Sequence, residues 1–305
     1  NFIFFFTAPI FVKNGIFPRS LINALDPCYM TLYHNTYNLS DNGKYTIVLG
    51  DSYGEGSGDE FLNNSLNYGL ITKIAELDQK NYTIFARGGY ESLMSFKEWQ
   101  FCEGKLELMY SYKNYNLPKE FLIVFYEGND LNNAIKYVPS TKLKNMNRNL
   151  RIYFPFYDMI YFSVKTFFIK VHWKIFKPYK NRIQRDVPES IILLENKSHI
   201  VNIFPQAAAL ELNEKKINLA LKSFESTVRK IMDLHESNII NVLYIPSVVS
   251  TYNWKEPIKT QSYHSSNPYF EITNEENDQN NMLITKKIRL ICDSNDCNFC
   301  DATSY

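Results

Sequence analysis

The chain has 305 residues, and its 33 Lys and Arg nearly balance its 32 Asp and Glu, giving a formal net charge of +1. This balance excludes a general nucleic-acid binder, which would carry a clearly basic domain. Hydrophobic residues make up 45% and charged residues 21% of the chain, which excludes a wholly disordered protein. Five cysteines in a chain of this length exclude a disulfide-scaffolded miniprotein.

The chain opens on an apolar stretch, residues 2–12, which begins with Phe2, ends with Val12 and has no charge before Lys13. It is too short to span a bilayer, which takes about 20 residues. We interpret it as the surviving end of a longer signal or spanning segment, the alternative being a strand or helix packed on the body. Residues 1–43 are therefore predicted to carry the remnant of a membrane anchor. The body would then be membrane-anchored, periplasmic or otherwise outside the cytoplasm.

Strands and helices alternate in the pattern between residues 45 and 131. Apolar runs predict strands, and apolar residues at helical spacing predict helices. The predicted order is strand 45–49, helix 59–77, strand 82–86, helix 91–112 and strand 121–125. This order predicts the α/β class, with parallel strands joined by right-handed crossovers. Ligand sites in such sheets lie beyond the carboxyl ends of the strands, which here are the loops 50–58, 87–92 and 127–132.

The alternation resumes only after a long interruption. A helix is predicted at 207–236, a strand at 239–245, a helix at 277–292 and a last strand at 299–303, with a polar surface loop at 257–281. The interruption predicts an insertion at about 133–203 within a domain that spans residues 44–305.

The insertion is predicted to be helical, because apolar residues recur at helical spacing from Phe156 to Ile175. Seven basic and no acidic residues lie between Met159 and Arg185. This pattern is typical of a lid or cap helix with one solvated side. A basic aromatic helix at about 156–182 is also compatible with an anionic membrane surface, so membrane association through it and through residues 2–12 stays open.

Chemically useful groups follow the first three predicted strands. Ser52 places a hydroxyl after the first strand, Gly88 and Gly89 offer unobstructed backbone N–H groups after the second, and Asn129 places a carboxamide after the third. Acyl transfer needs such a combination, because a nucleophilic hydroxyl must act beside donors placed where the carbonyl oxygen becomes an oxyanion. Ordinary turns that need glycine are the alternative explanation.

These loops resemble the SGNH (GDSL-type) esterase and lipase superfamily, which is named for Ser, Gly, Asn and His in four sequence blocks. Residues 49–56, LGDSYGEG, resemble the first block, and residues 127–131, EGNDL, closely resemble the third. Residues 86–90, ARGGY, are similar to the second block, although Ile84 stands where the family usually has Asn. The resemblance covers residues 44–132 well and the later strands only in outline.

The resemblance implies a three-layer α/β/α fold with a parallel, flavodoxin-like sheet and no cofactor or metal. It makes Ser52 the nucleophile, and it makes the Ser52 N–H, the Gly89 N–H and the Asn129 side chain the oxyanion hole. Asp51 and Asp130 take supporting roles, with the Asp130 carboxylate accepting backbone N–H bonds that hold its loop.

The general base is the departure from the family. The fourth block is Asp-x-x-His, in which His takes the serine proton and Asp orients the imidazole. None of the five histidines has Asp three positions earlier. Of the five, His264 lies in the predicted polar loop, from which it could reach the site. The family places this block directly after the last strand, so we expect it beyond Tyr305, with the C-terminal end truncated.

The resemblance therefore predicts a serine esterase that acts on carboxylic ester bonds through a Ser52 acyl-enzyme. Its expected substrate is a small acyl ester or an O-acetylated glycan. An O-acyltransferase that passes the acyl group to a glycan would use the same nucleophile, and a catalytically silent SGNH-like binding module is a further alternative. An Asp-x-x-His beyond Tyr305 would favour an enzyme over the silent module.

Three cysteines crowd the end of the chain at Cys292, Cys297 and Cys300. The Cys297-x-x-Cys300 pair resembles half a zinc site, but no second pair lies nearby to complete four ligands. The sequence leaves open whether two of the three form a disulfide.

Overall fold

The structure is a computed structural model that describes residues 45–56, 69–109, 118–137, 189–194, 197–202, 212–234, 238–247, 253–254, 258–261 and 269–304. Its elements in chain order are β1 Tyr45–Leu49, α1 Ser52–Glu55, α2 Leu70–Asp78, β2 Asn81–Ile84, α3 Ser92–Met109, β3 Glu120–Tyr126, α4 Asp130–Tyr137, β4 Glu189–Leu194, β5 Lys197–Asn202, α5 Glu214–Met232, β6 Ile239–Ile245, β7 Asn253–Trp254, β8 Ile258–Gln261, β9 Tyr269–Ile272, α6 Asn274–Ser294 and β10 Asn298–Asp301. A 3-10 turn, Ala302–Ser304, follows β10.

Five parallel strands form the main sheet, in the order β10-β6-β3-β1-β2. Ile47 of β1 pairs with Thr83 of β2 on one side and with Phe121 of β3 on the other. The chain leaves β1 for β2 at the edge and returns across β1 to β3, so the strand order reverses between β1 and β3. Such a reversal opens a crevice beyond the carboxyl ends of the strands, where α/β proteins bind their ligands. The α/β class predicted from the sequence is confirmed.

β1 and β3 are buried on both faces: successive strand residues point to opposite sides, and nearly all residues of these two strands are buried. Ile47 and Phe121 belong to one core cluster, which also contains residues of α3, α4, α5 and α6. Val48 and Leu122 belong to a second cluster, which Ile71 of α2 joins. A strand buried on both faces reads as a continuous apolar run, and that is how β1 and β3 read.

Aromatic side chains fill much of the first cluster. Trp99 of α3 packs edge-on against Phe121, with ring centroids 5.3 Å apart. Phe125 of β3 meets Phe224 of α5 in the same manner at 5.6 Å. Each fully buried ring of this kind contributes about 1.5–3 kcal/mol relative to an exposed one, so these contacts hold α3 and α5 on the sheet.

The main-sheet strands follow the sequence prediction closely. β1 and β6 have the predicted bounds, whereas β2 ends at Ile84 rather than at residue 86. The reason is that the Phe85 and Ala86 N–H groups both bond to the Val48 carbonyl, at 2.8 and 3.1 Å, and so leave the ladder. The last strand stops at Asp301, where the Asp301 carboxylate accepts the Thr303 N–H at 2.9 Å and turns the chain.

The observed helices agree only in part with the helices predicted from the sequence. The predicted helix 59–77 is described only as α2, and residues 57–68 lie outside the described residues. α6 begins at Asn274, well before residue 277, because Thr273 and Glu276 form a capping box at its start. α5 begins after Asn213, whose side chain caps it by accepting the Lys216 N–H.

Two stretches differ from their predictions. The last part of the predicted helical insertion is a hairpin, β4–β5, that pairs with β7, while the expected helix at 156–182 lies outside the described residues. The predicted polar loop 257–281 contains the hairpin β8–β9 and the start of α6, so that prediction is wrong. Ile258, Tyr269 and Phe270 supply the β-branched and aromatic residues that suit a strand.

Within the described part of the chain, no helix is long and apolar enough to cross a membrane. The predicted anchor remnant at residues 2–12 lies outside the described residues.

Candidate active site

A strained turn joins β1 to α1. Gly50 has a φ of 143°, and a Cβ atom at this position would lie 2.4 Å from the Val124 carbonyl oxygen. Only glycine lets the turn pass this close to β3. Asp51 then caps α1, with its Oδ1 accepting the Tyr53 N–H at 2.9 Å. These two residues fix Ser52 as the first residue of α1, directly beyond the carboxyl end of β1.

The Ser52 side chain is half-buried, and among the described residues its hydroxyl has no hydrogen-bond partner. Behind it, the Ser95 hydroxyl donates to the Gly50 carbonyl at 2.8 Å, which ties the turn to α3. Ser52 is thus an accessible hydroxyl on a turn whose backbone is held from two sides.

The loop after β2 lies against α1 beside Ser52. The Arg87 N–H bonds to the Gly50 carbonyl at 3.1 Å, and the Gly88 N–H bonds to Glu55 Oε2 at 2.8 Å. A Cβ atom at Gly88 would lie 3.7 Å from the Ser52 Cβ. This loop therefore borders the candidate nucleophile.

Gly89, the residue expected to donate from this loop, has a φ of 80° and is exposed. A Cβ atom there would meet nothing within 4 Å. Among the described residues, its N–H has no hydrogen-bond partner. The neighbouring Gly88 N–H is occupied by Glu55, so Gly89 is the glycine of this pair whose donor is free.

The loop after β3 packs on an aromatic ring. A Cβ atom at Gly128 would lie 2.3 Å from the Tyr126 ring, so only glycine fits there. The Tyr126 ring in turn lies 4.1 Å, centroid to centroid, from the ring of Tyr53 on α1. The side chain of the following residue, Asn129, lowers the pKa of Asp51 on the first loop. The first and third loops thus meet through a ring contact and through this polar interaction.

Asp51 and Asp130 are two buried carboxyl groups that interact electrostatically. Burial raises the pKa of Asp51 to about 6, against the hydrogen bonds from Tyr53 and Asn129 that lower it. The pKa of Asp130 lies well above its usual range because the group is buried and the Asp51 charge is close. Asp130 Oδ2 accepts the Tyr126 N–H at 2.9 Å, which holds the loop as expected for a supporting residue.

Three buried oxygens around this pair have no hydrogen-bond partner: Asp51 Oδ2, Asn129 Oδ1 and Asp130 Oδ1. Burying an unpaired charge is costly, so a carboxyl group in such surroundings releases its proton at a higher pH than usual. The raised pKa values follow from this physical cause.

Sequence reasoning missed three buried glutamates that anchor the loops. Glu55 binds the Gly88 N–H, and Glu127 Oε2 accepts the Ser247 N–H at 2.8 Å, connecting the ends of β3 and β6. Glu91 accepts the Leu93 N–H at 2.7 Å and the Ser223 hydroxyl at 3.1 Å. The feature of the sequence that marks these glutamates is their position, since each lies within three residues of a turn glycine.

The expected histidine lies outside what the structure describes. His199 lies in β5, and the other four histidines, His264 among them, lie outside the described residues. In the described part of the chain, no group of His, Cys, Asp and Glu is arranged to hold a metal ion. The described site thus consists of a hydroxyl, a free backbone donor and a carboxamide.

The fold and the site define an α/β protein with a candidate site at the carboxyl edge of its parallel sheet. Comparisons with protein-family models, with curated proteins and with solved structures found no match. The function is therefore argued from the site itself.

Proposed function

We propose that the protein is a serine esterase of the SGNH type, which cleaves carboxylic esters through a Ser52 acyl-enzyme. The observation that carries the proposal is the placement of three groups on the loops after β1, β2 and β3, which are neighbours in the sheet. They are the unpartnered Ser52 hydroxyl, the free Gly89 N–H and the Asn129 carboxamide. Acyl transfer uses a hydroxyl flanked by two such donors.

The sheet supports the finer fold assignment. Counted within the main sheet along the chain, the strand order is 2-1-3-4-5, which is the flavodoxin-like order. Helical residues join the core clusters on both faces, in keeping with an α/β/α arrangement.

In the proposed reaction, Ser52 Oγ attacks the ester carbonyl and gives up its proton to a general base. The carbonyl oxygen becomes an oxyanion that accepts hydrogen bonds from the Ser52 N–H, the Gly89 N–H and Asn129 Nδ2. Collapse of this intermediate expels the alcohol and leaves an acyl group on Ser52, which water then removes. By the family resemblance, the base is the histidine of an Asp-x-x-His block.

In the proposed reaction, Asp51 orients the side-chain amide of Asn129. A primary amide has two N–H donors and one carbonyl acceptor. With the pKa of Asp51 at about 6, its carboxylate is mostly ionised above neutral pH and accepts one of the two donors. The second Nδ2 proton is then available for the oxyanion. The unpaired, buried Asn129 Oδ1 is consistent with an amide whose orientation Asp51 imposes.

The substrate proposed is a small acyl ester or an O-acetylated glycan. Transfer of the acyl group to a glycan hydroxyl would proceed through the same acyl-enzyme, because only the acceptor in the second step differs.

The test is hydrolysis of p-nitrophenyl acetate by the complete protein and its Ser52→Ala variant. We expect Ser52→Ala to abolish turnover, while Ser294→Ala, an exposed serine on α6, leaves it unchanged. Mass spectrometry of the protein quenched during turnover should find the acetyl group on the peptide that carries Ser52. Normal turnover by Ser52→Ala would refute the proposal. Release of a single p-nitrophenol per enzyme, with continued turnover only when a glycan is added, would assign the acyltransferase instead.

A further inference from the structure

The end of α6 brings two cysteines together through its cap. α6 ends at Ser294, and Asp296 beyond it has a φ of 53°. The Cys297 N–H bonds back to the Cys292 carbonyl at 3.0 Å. A left-handed residue followed by this backward bond is typical of a Schellman cap, which commonly brings the side chains at these two positions into contact. The cap geometry thus places one thiol against the other.

The side-chain contacts agree with the backbone. The Cys292 thiol is fully buried in the core cluster, and Cys297 packs against that cluster. Cys297 is half-buried, and its sulfur also lies 3.7 Å from the Asn295 carbonyl oxygen. Both cysteines are free thiols, unlike Cys102, which is disulfide-bonded. Two free thiols in contact form the starting geometry of a disulfide.

Cys300 cannot replace either partner. Cys297 to Cys300 runs into the extended strand β10, where three residues span about 10 Å. A disulfide requires Cα atoms less than about 7 Å apart. Phe299 packs on the core cluster that contains Cys292, so the next side chain along the strand, Cys300, points to the opposite face and is exposed. The Cys297-x-x-Cys300 spacing noted in the sequence is therefore not the reactive pair.

We propose that Cys292 and Cys297 form a redox-active dithiol that a small-molecule disulfide oxidises to an internal disulfide. The proposal is independent of the esterase activity. Cys297 attacks one sulfur of the reagent, forms a mixed disulfide and releases the first thiolate. Cys292 then loses its proton and attacks Cys297 Sγ, which releases the second thiolate. Two cysteine thiols are oxidised, the reagent is reduced to two thiols, and the two cysteine protons go to those thiols.

The order of attack follows from the exposure of the two thiols and from the directions in which their pKa values are shifted. Cys297 is accessible to a reagent, whereas Cys292 is not. Because Cys292 donates to it, the pKa of Cys297 is lowered, while the same bond and burial raise the pKa of Cys292. The thiolate is the attacking species in such exchange, so Cys297 is the first to react and Cys292 resolves the adduct.

The test treats the folded protein with glutathione disulfide and counts the remaining thiols. We expect loss of two of the three free thiols at 292, 297 and 300, with a protein mass lower by two hydrogen atoms and no glutathione retained on either partner. Cleavage on the amino side of Asp293, Asp296 and Asp301 separates Cys292 from a peptide, residues 296–300, that carries both Cys297 and Cys300. Fragmentation of the cross-linked peptides in the mass spectrometer then identifies which of these two cysteines is bonded to Cys292. Dithiothreitol should restore both thiols.

Single variants separate the roles. In Cys292→Ala, Cys297 should keep glutathione as a stable mixed disulfide, because the resolving thiol is gone. In Cys297→Ala, Cys292 should remain unmodified, and Cys300→Ala should form the internal disulfide like the parent. A bond that includes Cys300, a glutathione adduct that persists on Cys297 of the parent, or modification of Cys300 alone would overturn the proposal.

Discussion

The side chain of Asn129 interacts with Asp51, the residue that immediately precedes the candidate nucleophile, and lowers its pKa. This interaction relates the loop after β3 to the turn after β1, across the point where the strand order reverses. It also gives a buried carboxylate a partner, since burial alone raises the pKa of Asp51. One polar pair thus contributes both to the shape of the site and to the orientation of its carboxamide.

Asn129→Ala should lower kcat for ester hydrolysis by about 100- to 1000-fold, the usual effect of removing one oxyanion donor. KM should change far less, because the charge on the oxygen develops only in the transition state. Steady-state kinetics of the complete protein with p-nitrophenyl acetate measure both quantities.

Asn238→Ala is the matched control for Asn129→Ala. Asn238 is also buried and donates to a backbone carbonyl, that of Ile231, at 2.6 Å, but it precedes β6 at the amino end of the sheet. It should lower the thermal midpoint without changing kcat of the folded protein. Equal rate losses in the two variants would mean that Asn129 acts only through stability.

The sequence predicts the main sheet well because burial on both faces leaves a continuous apolar run. β1 is an example and has the predicted bounds; β6, which alternates between buried and partly exposed residues, also has them. The hairpin β8–β9 was missed because its strands are short and sit in a polar stretch, where antiparallel pairing rather than local pattern determines the structure. Periodicity alone carries no information about such pairing.

The candidate site was predictable only as a set of loops. Strand alternation placed Ser52, Gly89 and Asn129 after successive strands, and the sheet order makes those strands neighbours. The loop anchors could not be predicted, because a buried glutamate such as Glu55 reads like any surface acid. Its burial and its bond to Gly88 exist only once β2 lies beside β1.

Glu55→Ala should slow ester hydrolysis by about 10- to 100-fold, since the Gly88 N–H loses its acceptor and the Gly89 donor moves with the loop. Glu55→Gln keeps an acceptor oxygen at the same place and should recover most of kcat. Glu76→Ala, an exposed glutamate on α2, is the control and should leave the rate unchanged. Equal kcat values for the Ala and Gln variants would argue against positioning by this hydrogen bond.

Gly50→Ala and Gly89→Ala should differ in their effects on stability, although both glycines have positive φ. At Gly50 the new methyl group would meet the Val124 carbonyl oxygen at 2.4 Å, so we expect a loss of about 3 kcal/mol or more in the free energy of unfolding. At Gly89 the space is open, and the left-handed conformation alone costs about 1–2 kcal/mol. Urea titrations measure the two losses. A larger loss at Gly89 than at Gly50 would contradict the described close approach of β1 and β3.

The buried pair of Asp51 and Asp130 should make the free energy of unfolding depend on pH. Burial raises both pKa values in the folded protein, to about 6 for Asp51 and well above the usual range for Asp130. An unfolded chain releases these protons near pH 3.9. Between that pH and the folded pKa, the folded state binds more protons than the unfolded state. The free energy of unfolding therefore falls as the pH rises, by up to about 1.4 kcal/mol per pH unit for each group.

Asp130→Asn removes one of these protons while keeping an acceptor oxygen for the Tyr126 N–H. We expect the thermal midpoint of the variant to rise relative to that of the parent as the pH is raised from 5 to 8. Over these roughly three pH units the parent loses stability, because its folded state holds a proton on Asp130 that the unfolded state has already released. Asp278→Asn, at an exposed position on α6, is the control and should follow the parent at every pH. Thermal unfolding followed by circular dichroism gives the three profiles. A difference between Asp130→Asn and the parent that shrinks or reverses with rising pH would mean that Asp130 is stabilised as a carboxylate, and the proton would have to be reassigned within the pair.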